Sequence, residues 1–231
     1  MNRYAVYFAP EPDSDLYRFG SAWLGRDARN GATTKATDVN GITAERIGEI
    51  TAAPRRYGFH ATLKPPFALA AGHTADELQR ALQAFARDCT PFDMPPLRLA
   101  EIDGFLALVP RSPSTELTAL AERAVRACDT FRAPPSAAER ERRAHAALDA
   151  RERELLAAWG YPYVLDRWRF HMTLTERLDS LERERVKTAL EPIFAQFCRE
   201  PLHVDAIALF VQPGRDEPFH YRARFAFGRA A

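Results

Sequence analysis

The sequence predicts an α+β fold in which two halves of the chain repeat one order of elements. Two pentapeptides match at four positions, Phe59-His60-Ala61-Thr62-Leu63 and Phe170-His171-Met172-Thr173-Leu174. In each half the pentapeptide is followed by a helical pattern and then by two strands around a turn, which is the pattern of an antiparallel hairpin. The shared order indicates an internal duplication of architecture.

The elements of the first half follow from apolar spacing and from residues that begin or end elements. Pro54 should end the second helix, since proline cannot extend a helix. Thr74 and Glu77 form a capping box at the start of the third helix, and Asp103-Gly104 favours a hairpin turn. We expect a strand over 1–10, helices over 14–26 and 43–52, the first signature strand over 56–64 stopped by Pro65-Pro66, a helix over 74–88, strands over 97–102 and 105–109, and a helix from Ser112-Pro113 to 130.

The second half begins with a segment of different texture, residues 134–158, in which arginine, glutamate and alanine are dense. This composition predicts a solvated helix rather than a core element, and it leaves open whether the segment closes over a site. We expect the second signature strand over 167–175, a helix over 179–197 capped by Asp179, and two strands over 203–212 and 219–227 around Pro213-Gly214.

Each signature strand is expected to carry its polar residues on one face, because successive side chains of a strand point to opposite faces. The polar sets are Arg56, Gly58, His60, Thr62 and Lys64 in the first copy, and Arg167, Arg169, His171, Thr173 and Thr175 in the second. The opposite faces carry aromatic residues that we expect to pack in the core, namely Tyr57, Phe59, Trp168 and Phe170.

Two histidines on separate strands suit the opening of a cyclic phosphodiester. The attacking water must lose a proton and the departing alkoxide must gain one, and histidine performs either transfer near neutral pH. Hydroxyl and cationic groups hold the charged oxygens. We therefore predict four catalytic residues, His60, His171, Thr62 and Thr173, and four substrate-binding residues, Arg56, Lys64, Arg167 and Arg169. Which histidine is the base stays open.

These motifs resemble those of the two-histidine (2H) phosphoesterase superfamily, here as His60-Ala61-Thr62-Leu63 and His171-Met172-Thr173-Leu174. Further stretches, 16–19, 23–27, 55–67, 161–163 and 170–175, are similar to the subfamily described as phosphonate metabolism proteins, found with bacterial phosphonate-utilisation operons. The resemblance implies one bilobal α+β domain over residues 1–231, with two pseudo-symmetric antiparallel sheets flanked by helices around a central cleft and one motif on each lobe.

The resemblance also implies an activity. It implies metal-independent hydrolysis, without a cofactor, of a small anionic cyclic phosphate ester. The operon role indicates a ribosyl 1,2-cyclic phosphate, such as 5-phosphoribosyl 1,2-cyclic phosphate left by carbon-phosphorus lyase. The alternative is a 2′,3′-cyclic nucleotide or RNA-end phosphodiesterase, or an RNA-binding module.

Composition excludes several classes of partner. A formal net charge of +1 argues against a long nucleic acid or an anionic membrane as a partner. No stretch approaches the roughly 20 apolar residues of a membrane span, and no signal peptide is apparent, so we expect a cytoplasmic protein. Cys89, Cys128 and Cys198 form no CxxC pair, which predicts reduced and mostly buried thiols.

Two other enzyme classes are weaker interpretations of the same sequence. A zinc hydrolase usually needs three closely spaced ligands, and neither signature strand offers them. A cysteine nucleophile needs a nearby histidine, and none of the three cysteines has one beside it in sequence. Among the remaining histidines, His220 lies in an expected cleft strand and is the one to check.

Overall fold

The computed structural model describes residues 1–34, 38–135 and 147–228 of the chain. Within them the strands are β1 (Arg3–Phe8), β2 (Ala61–Phe67), β3 (Phe92–Met94), β4 (Leu97–Ile102), β5 (Phe105–Pro110), β6 (Met172–Thr173), β7 (Leu202–Val204), β8 (Ala206–Gln212) and β9 (His220–Ala226). The α-helices are α1 (Asp15–Leu24), α2 (Ala44–Ile50), α3 (Ala52–Arg55), α4 (Ala75–Arg87), α5 (Thr115–Asp129), α6 (Ala150–Trp159) and α7 (Ser180–Phe194), and 3₁₀ turns cover Leu165–Arg167 and Ala195–Cys198.

The strands form two antiparallel sheets flanked by helices, which confirms the α+β prediction. Seven strands make one sheet in the order β4-β5-β6-β2-β1-β8-β9, and β3 pairs with β7 in a second. The hairpin β4-β5 of the first half pairs with β6, whereas β8-β9 of the second half joins β2 through β1. Each hairpin therefore lies on the same side of the sheet as the signature strand of the other half. The first-half hairpin β4-β5 is next to β6, and the second-half hairpin β8-β9 is linked through β1 to β2.

The two signature strands meet at the middle of the large sheet. Ala61 of β2 pairs with Met172 of β6, and both side chains are fully buried. The Trp168 indole N–H donates to the carbonyl of Thr62 (2.8 Å), which adds a second tie between the motifs. This junction puts the sequence-distant pentapeptides side by side.

The two faces of the large sheet differ in what covers them. On β1, Tyr4, Val6 and Phe8 point into the main apolar core, which also receives side chains of α1, α4, α5 and α7. Ala5 and Tyr7 point the other way and belong to a smaller cluster that contains Ala28, Ala208, Phe210 and Phe219. The alternation along β1 thus separates a helix-covered face from a face with a smaller aromatic cluster.

The predicted strand boundaries around the motifs are wrong at their amino-terminal ends. Residues 52–57 form helix and turn rather than strand, with Pro54 in the first turn of the short helix α3, where proline is tolerated, and Gly58 has φ +81°. The second motif is preceded by the 3₁₀ turn Leu165–Arg167. Pro65-Pro66 does not end the first strand, which continues to Phe67 through an irregular stretch of its pairing with β1.

Helix starts are predicted better than strand ends. The capping box of Thr74 and Glu77 is present, and Asp179 accepts a hydrogen bond from the Glu182 amide as expected. The cap of α5 is Ser114 rather than Ser112, since the Ser114 hydroxyl reaches the amide of Leu117. Strand β3, of three residues, is additional to the prediction, and the strand expected over 203–212 is divided at Asp205 into β7 and β8.

The charged segment 134–158 is described only in part, because residues 136–146 lie outside the described residues. The part that is described contains α6, in which Leu155 is buried and most other side chains are exposed, as expected for a solvated helix. Across the described ranges, no helix is both long enough and apolar enough to span a membrane.

Candidate active site

The four predicted catalytic residues lie on one face of the β2 and β6 pair. In an antiparallel pair with Ala61 opposite Met172, His60 lies across from Thr173 and Thr62 lies across from His171. All four point away from the buried Ala61 and Met172. Diagonal positions on one face are about 7–8 Å apart, so the histidines sit at opposite corners of a four-residue cluster.

His60 is held in one tautomer by its hydrogen bonds. Its Nδ1 lies 2.8 Å from the carbonyl of Gly58, which only accepts, so Nδ1 carries the proton. Its Nε2 lies 3.2 Å from the hydroxyl of Thr62 and accepts from it. Tyr7, fully buried, stacks on the imidazole at 3.8 Å between ring centroids. The neutral ring is thus oriented with its basic nitrogen beside Thr62.

The pKa of His60 is lowered to about 4. Burial is the main cause, the hydrogen bond to Gly58 works in the opposite direction, and the charge of His171 lowers the pKa further. The influence of His171 follows from the proximity of the two rings. His60 is therefore neutral over the physiological range.

His171 repeats the arrangement of His60. Its Nδ1 donates to the carbonyl of Arg169 (2.9 Å), again two residues earlier, and Phe105 lies 5.8 Å from its ring. Burial lowers its pKa, while the bond to Arg169 and the charge of Asp103, in the β4-β5 turn, act to raise it. Both imidazoles therefore carry the proton on Nδ1 and leave Nε2 for chemistry.

Lys64 does not share the face of His60 and Thr62, so that part of the predicted polar edge is wrong. Thr62 pairs with Tyr7, but Lys64 pairs with Val6, the next residue of β1. Leu63 is therefore an extra residue, and this β-bulge turns Lys64 to the opposite side of the sheet.

The Lys64 ammonium is buried against the carboxyl-terminal turn of α5. Its side chain is 1% exposed, and Nζ lies 3.3 Å from Asp129 Oδ1 and 3.5 Å from the carbonyl of Val125. Burial lowers the pKa of Lys64, and Asp129 offsets part of the effect. A carboxylate and the negative end of the helix dipole stabilise the cation here, on the opposite side of the sheet from His60.

The three predicted arginines occupy different surroundings. Arg56 is at the end of α3, and its Nη2 donates to the carbonyl of Arg215 (2.8 Å). Arg167 pairs with Asp149 at the start of α6 (2.8 Å). Arg169 is exposed, and its carbonyl holds His171. Their roles in binding remain predictions. The expected common edge does not form at Arg56 and Arg167, because Arg56 has helical backbone at the end of α3 and Arg167 lies in a 3₁₀ turn.

Several aromatic residues near His60 were placed wrongly or not considered by the sequence reasoning. Phe59 and Phe170 are buried as expected. Tyr57, expected in the core, is 38% exposed, and its ring lies 6.1 Å from His60 and 5.2 Å from Phe219. The left-handed Gly58 breaks the alternation, and a glycine directly before the motif was the available signal.

Two exposed tyrosines, Tyr57 and Tyr161, lie near Tyr7. Tyr161 is 37% exposed, and its ring meets that of Tyr163, 48% exposed, edge to face at 5.7 Å. The pKa of Tyr7 is raised mainly by burial, with contributions from the neighbouring Tyr57 and Tyr161. Exposed aromatic groups beside a polar cluster are typical of binding sites.

His220 and the cysteines lie apart from this cluster. His220 pairs across the sheet with Val211, which packs on the main core, and its Nδ1 is 3.4 Å from Arg26 Nη2. The three cysteines are free and buried, as predicted, and burial raises their pKa values, that of Cys128 to about 12. Over residues 1–34, 38–135 and 147–228, no group of three or more histidine, cysteine or acidic side chains is arranged to hold a metal ion.

Comparison with known sequences finds similarity to one family and to two longer proteins. A family model described as "Protein of unknown function (DUF1045)" matches residues 62–220. Two proteins named "Ribose 1,5-bisphosphate phosphokinase PhnN" are similar: that of Janthinobacterium sp. (strain Marseille) is 36% identical over 98% of the chain, and that of Laribacter hongkongensis (strain HLHK9) is 39% identical over 91%. The chain spans 51% and 48% of their lengths, about half of each.

Comparison with solved structures finds matches over 98% of both chains. One is described as "Crystal structure of phosphoesterase" (13% identity, TM-score 0.42), and another as E.coli LigT complexed with 3′-AMP (12% identity, TM-score 0.42). Likeness at this level does not by itself assign a function.

Proposed function

The chain belongs to the family described as "Protein of unknown function (DUF1045)", whose description names no reaction, and we propose that it is a phosphodiesterase that hydrolyses a small cyclic phosphate ester by two-histidine acid and base catalysis. The observation that carries this proposal is the cluster of His60, Thr62, His171 and Thr173 on one face of two paired strands. The proposed reaction needs no metal ion and no cofactor.

The two histidines differ in a way that supports separate roles. The pKa of His60 is lowered to about 4, and its Nε2 accepts a hydrogen bond from Thr62, so it is unprotonated and acts as the base. Burial lowers the pKa of His171 too, but the negative charge of Asp103 opposes that shift and favours the protonated form, so His171 acts as the acid. A base and an acid held in different surroundings are the usual requirement for this chemistry.

The proposed step adds one water molecule to the cyclic ester. His60 Nε2 takes a proton as the water oxygen bonds to phosphorus, the ring P–O bond breaks, and His171 Nε2 gives its proton to the departing oxygen. When substrate binds, the Thr62 hydroxyl turns from His60 Nε2, which is then open to the water, to one non-bridging oxygen, and Thr173 donates to the other, where charge develops. The product is a phosphate monoester with the freed hydroxyl on the same molecule.

The leading substrate is a ribosyl 1,2-cyclic phosphate. The resemblance of the motifs to phosphonate metabolism proteins supports it, and the name of the two longer relatives refers to another ribosyl phosphate, ribose 1,5-bisphosphate. The kinase part of that name has no counterpart in the motifs of this chain, because none of its 11 glycines precedes a lysine, as the phosphate-binding G-x-x-x-x-G-K-[ST] loop requires.

A second candidate is a 2′,3′-cyclic nucleotide or RNA-end phosphodiesterase, or an RNA-binding module. One observation favours it: Tyr57 exposes 38% of its surface beside His60, and an exposed aromatic ring is suited to stacking with a base. Tight binding of an oligonucleotide without cleavage of any cyclic phosphate would favour the binding module.

The test is turnover of a panel of ribose 1,2-cyclic, 2′,3′-cyclic and 3′,5′-cyclic phosphates with and without EDTA. We expect His60→Gln and His171→Gln each to lower kcat/KM by about 10²–10⁴-fold. The matched control is His203→Gln, since His203 is an exposed partner of Asp93 on the small sheet. EDTA should have no effect.

Two results would contradict the proposal. Retained activity in both single variants would show that the reaction does not require the histidines. Loss of activity in EDTA that returns on addition of a divalent metal would show that the reaction depends on a metal ion. Circular dichroism of each variant establishes that the fold is intact.

A further inference from the structure

The two motifs hold their histidines in the same way, so the motifs alone do not distinguish the roles of the two rings. In each motif Nδ1 donates to the carbonyl two residues earlier, Gly58 for His60 (2.8 Å) and Arg169 for His171 (2.9 Å). The neighbouring strands differ, because β2 lies between β6 and β1 whereas β6 lies between β5 and β2. A residue of β1 can therefore act on His60 without acting equally on His171.

Tyr7 of β1 covers one face of the His60 ring. It pairs with Thr62 in the sheet, and its side chain is fully buried. Its ring stacks on the imidazole at 3.8 Å between centroids, with 29° between the planes. The rings of Phe210 (4.9 Å) and Phe219 (6.2 Å) pack against Tyr7. These contacts hold the phenol ring in place against His60.

The aromatic neighbour of His171 makes a different contact. The ring of Phe105 lies 5.8 Å from that of His171 and is inclined to it by 54°. A ring at this distance and angle does not stack on the imidazole. The two histidines thus differ in an aromatic cover that comes from outside both motifs.

A tyrosine ring stacked on an imidazole has two opposite effects on the charge of the imidazole. The face of the ring attracts a cation, which favours the protonated form. The ring also keeps water from the imidazole, which disfavours the protonated form. Burial is the largest cause of the lowered pKa of His60, so the exclusion of water is the stronger effect.

The other groups around these two rings act more weakly on His60. The charge of His171, on β6, lowers the pKa of His60 less than burial does, and the hydrogen bond to Gly58 raises it. Burial raises the pKa of Tyr7, so its phenol is uncharged at neutral pH. The titratable groups that act on Tyr7 are Arg3 on the same strand, Tyr57 after α3 and Tyr161 after α6. The cover that Tyr7 gives to His60 is therefore neutral.

We propose that Tyr7 is a positioning residue for the base: its ring keeps the His60 imidazole neutral, with Nε2 towards Thr62, and thereby gives two equivalent motifs different roles. This inference rests on the proposed function, in which His60 takes a proton from water. Tyr7 acts through His60 and needs no contact with the substrate.

The test replaces the Tyr7 ring and follows His60 by long-range proton–nitrogen NMR, which reports the tautomer and the pKa of an imidazole without turnover. Tyr7→Thr keeps a residue that favours strands but lets water reach the His60 ring. We expect the pKa of His60 to rise by about one unit or more towards its ordinary value of about 6.5.

The kinetics of Tyr7→Thr should change in the same variant. We expect kcat to fall about tenfold or more while KM stays within about twofold, because the imidazole is less well oriented. The acidic limb of the pH profile of kcat/KM should move to higher pH together with the pKa of His60.

Three further variants separate loss of the ring from other effects. Tyr7→Phe keeps the ring, so its His60 titration and its kcat should match those of the unmodified protein. Tyr7→Leu keeps a large apolar side chain without a planar face, so its changes should have the same direction as those of Tyr7→Thr and be smaller. Tyr4→Thr is the matched control, because Tyr4 is a buried tyrosine of β1 that points into the main core. It should lower stability and leave the His60 titration unchanged.

Two results would overturn the role of Tyr7. One is an unchanged His60 titration in Tyr7→Leu and in folded Tyr7→Thr, with Tyr7→Leu deciding alone if Tyr7→Thr does not fold. The other is a loss of kcat in Tyr7→Phe equal to that in Tyr7→Leu, since the hydroxyl rather than the ring would then be responsible. If no cyclic phosphate is hydrolysed, a His60 pKa that rises in the Tyr7 variants and not in Tyr4→Thr supports this inference while the proposed function fails.

Discussion

Substitution of Lys64 tests on which side of the sheet the β-bulge places this side chain of the first signature strand. If the strand were regular, Lys64 would lie beside His60 and Thr62, and its removal would weaken substrate binding. The bulge instead places its ammonium 3.3 Å from Asp129 on the other side of the sheet. We therefore expect Lys64→Met to leave KM and kcat within about twofold of the unmodified protein.

The stability effects of the same pair follow from its burial. At 3.3 Å and an effective dielectric constant of about 20, the attraction of Lys64 and Asp129 is about 5 kcal/mol. Breaking a buried pair by removing one partner costs about 3–5 kcal/mol. Because the Asp129 side chain is 29% exposed, we expect Asp129→Asn to lower the free energy of unfolding by about 3 kcal/mol, at the low end of this range.

Lys64→Met should be far milder than Asp129→Asn. The thioether side chain is apolar, and Asp129 keeps Arg132, whose Nε is 2.7 Å away. Urea denaturation at pH 7 measures both, with Glu122→Gln as the control for an exposed pair on the same helix, expected to change stability by less than about 1 kcal/mol. A tenfold rise of KM in Lys64→Met, or a loss below about 1 kcal/mol in Asp129→Asn, would refute the reasoning.

Three further predictions concern His60 and its supports. Gly58→Ala should lower the free energy of unfolding by about 1–3 kcal/mol and reduce kcat, because φ is +81° and the added Cβ would lie 2.6 Å from the Cβ of Ala28. Urea denaturation measures the change in stability. Gly72→Ala is the control for backbone strain alone, because Gly72 has φ +87° and nothing lies within 4 Å of the added Cβ. Thr62→Val should lower kcat about 10²-fold with little change in KM, because the hydroxyl at 3.2 Å from His60 Nε2 is lost. Steady-state kinetics measures both constants, and an unchanged kcat would count against a role of Thr62 in the reaction. The free energy of unfolding should fall as the pH drops from about 6.5 to about 4, because the histidine of the unfolded chain binds a proton in this range while folded His60 does not. The urea midpoint of His60→Gln should fall less over the same range. An equal fall would contradict the lowered pKa of His60.

The pH dependence of catalysis follows from the same two groups. The active form has His60 neutral and His171 protonated. Because the pKa of His60 is about 4 and that of His171 is below its usual value, kcat/KM of the free enzyme should be greatest on the acidic side of neutrality and fall on both sides of its maximum. A pH profile of kcat/KM checks this, and a maximum above pH 8 would contradict the roles assigned to the histidines.

The face shared by histidine and threonine within each motif was predictable from the repeated Phe-His-x-Thr-Leu pattern, whereas the convergence of the two motifs was expected from the resemblance to two-histidine phosphoesterases. The alternation was valid only where the chain is a regular strand. It fails before Phe59, where Gly58 is left-handed, and after Thr62, where Leu63 is an extra residue. Tyr57 and Lys64, on either side of these breaks, are the residues that were placed on the wrong face.

The remaining parts of the site depend on contacts that no local pattern contains. Tyr7 lies against His60 because β1 lies between β2 and β8 in the sheet, and Phe219, whose ring is 6.2 Å from that of Tyr7, comes from the other end of the chain. The position of each hairpin beside the signature strand of the other half is likewise set by the order of the strands in the sheet. A sequence that repeats strand, helix and hairpin twice does not determine which hairpin joins which signature strand.

The most direct measurement of the central claim is a crystal structure of the protein with bound orthovanadate, which imitates phosphorus during displacement. We predict one vanadate between the histidines, with oxygens about 2.6–3.2 Å from Nε2 of both His60 and His171, and with Thr62 and Thr173 donating to two others. A vanadate bound by only one histidine, or bound elsewhere while both rings stay empty, would contradict the account.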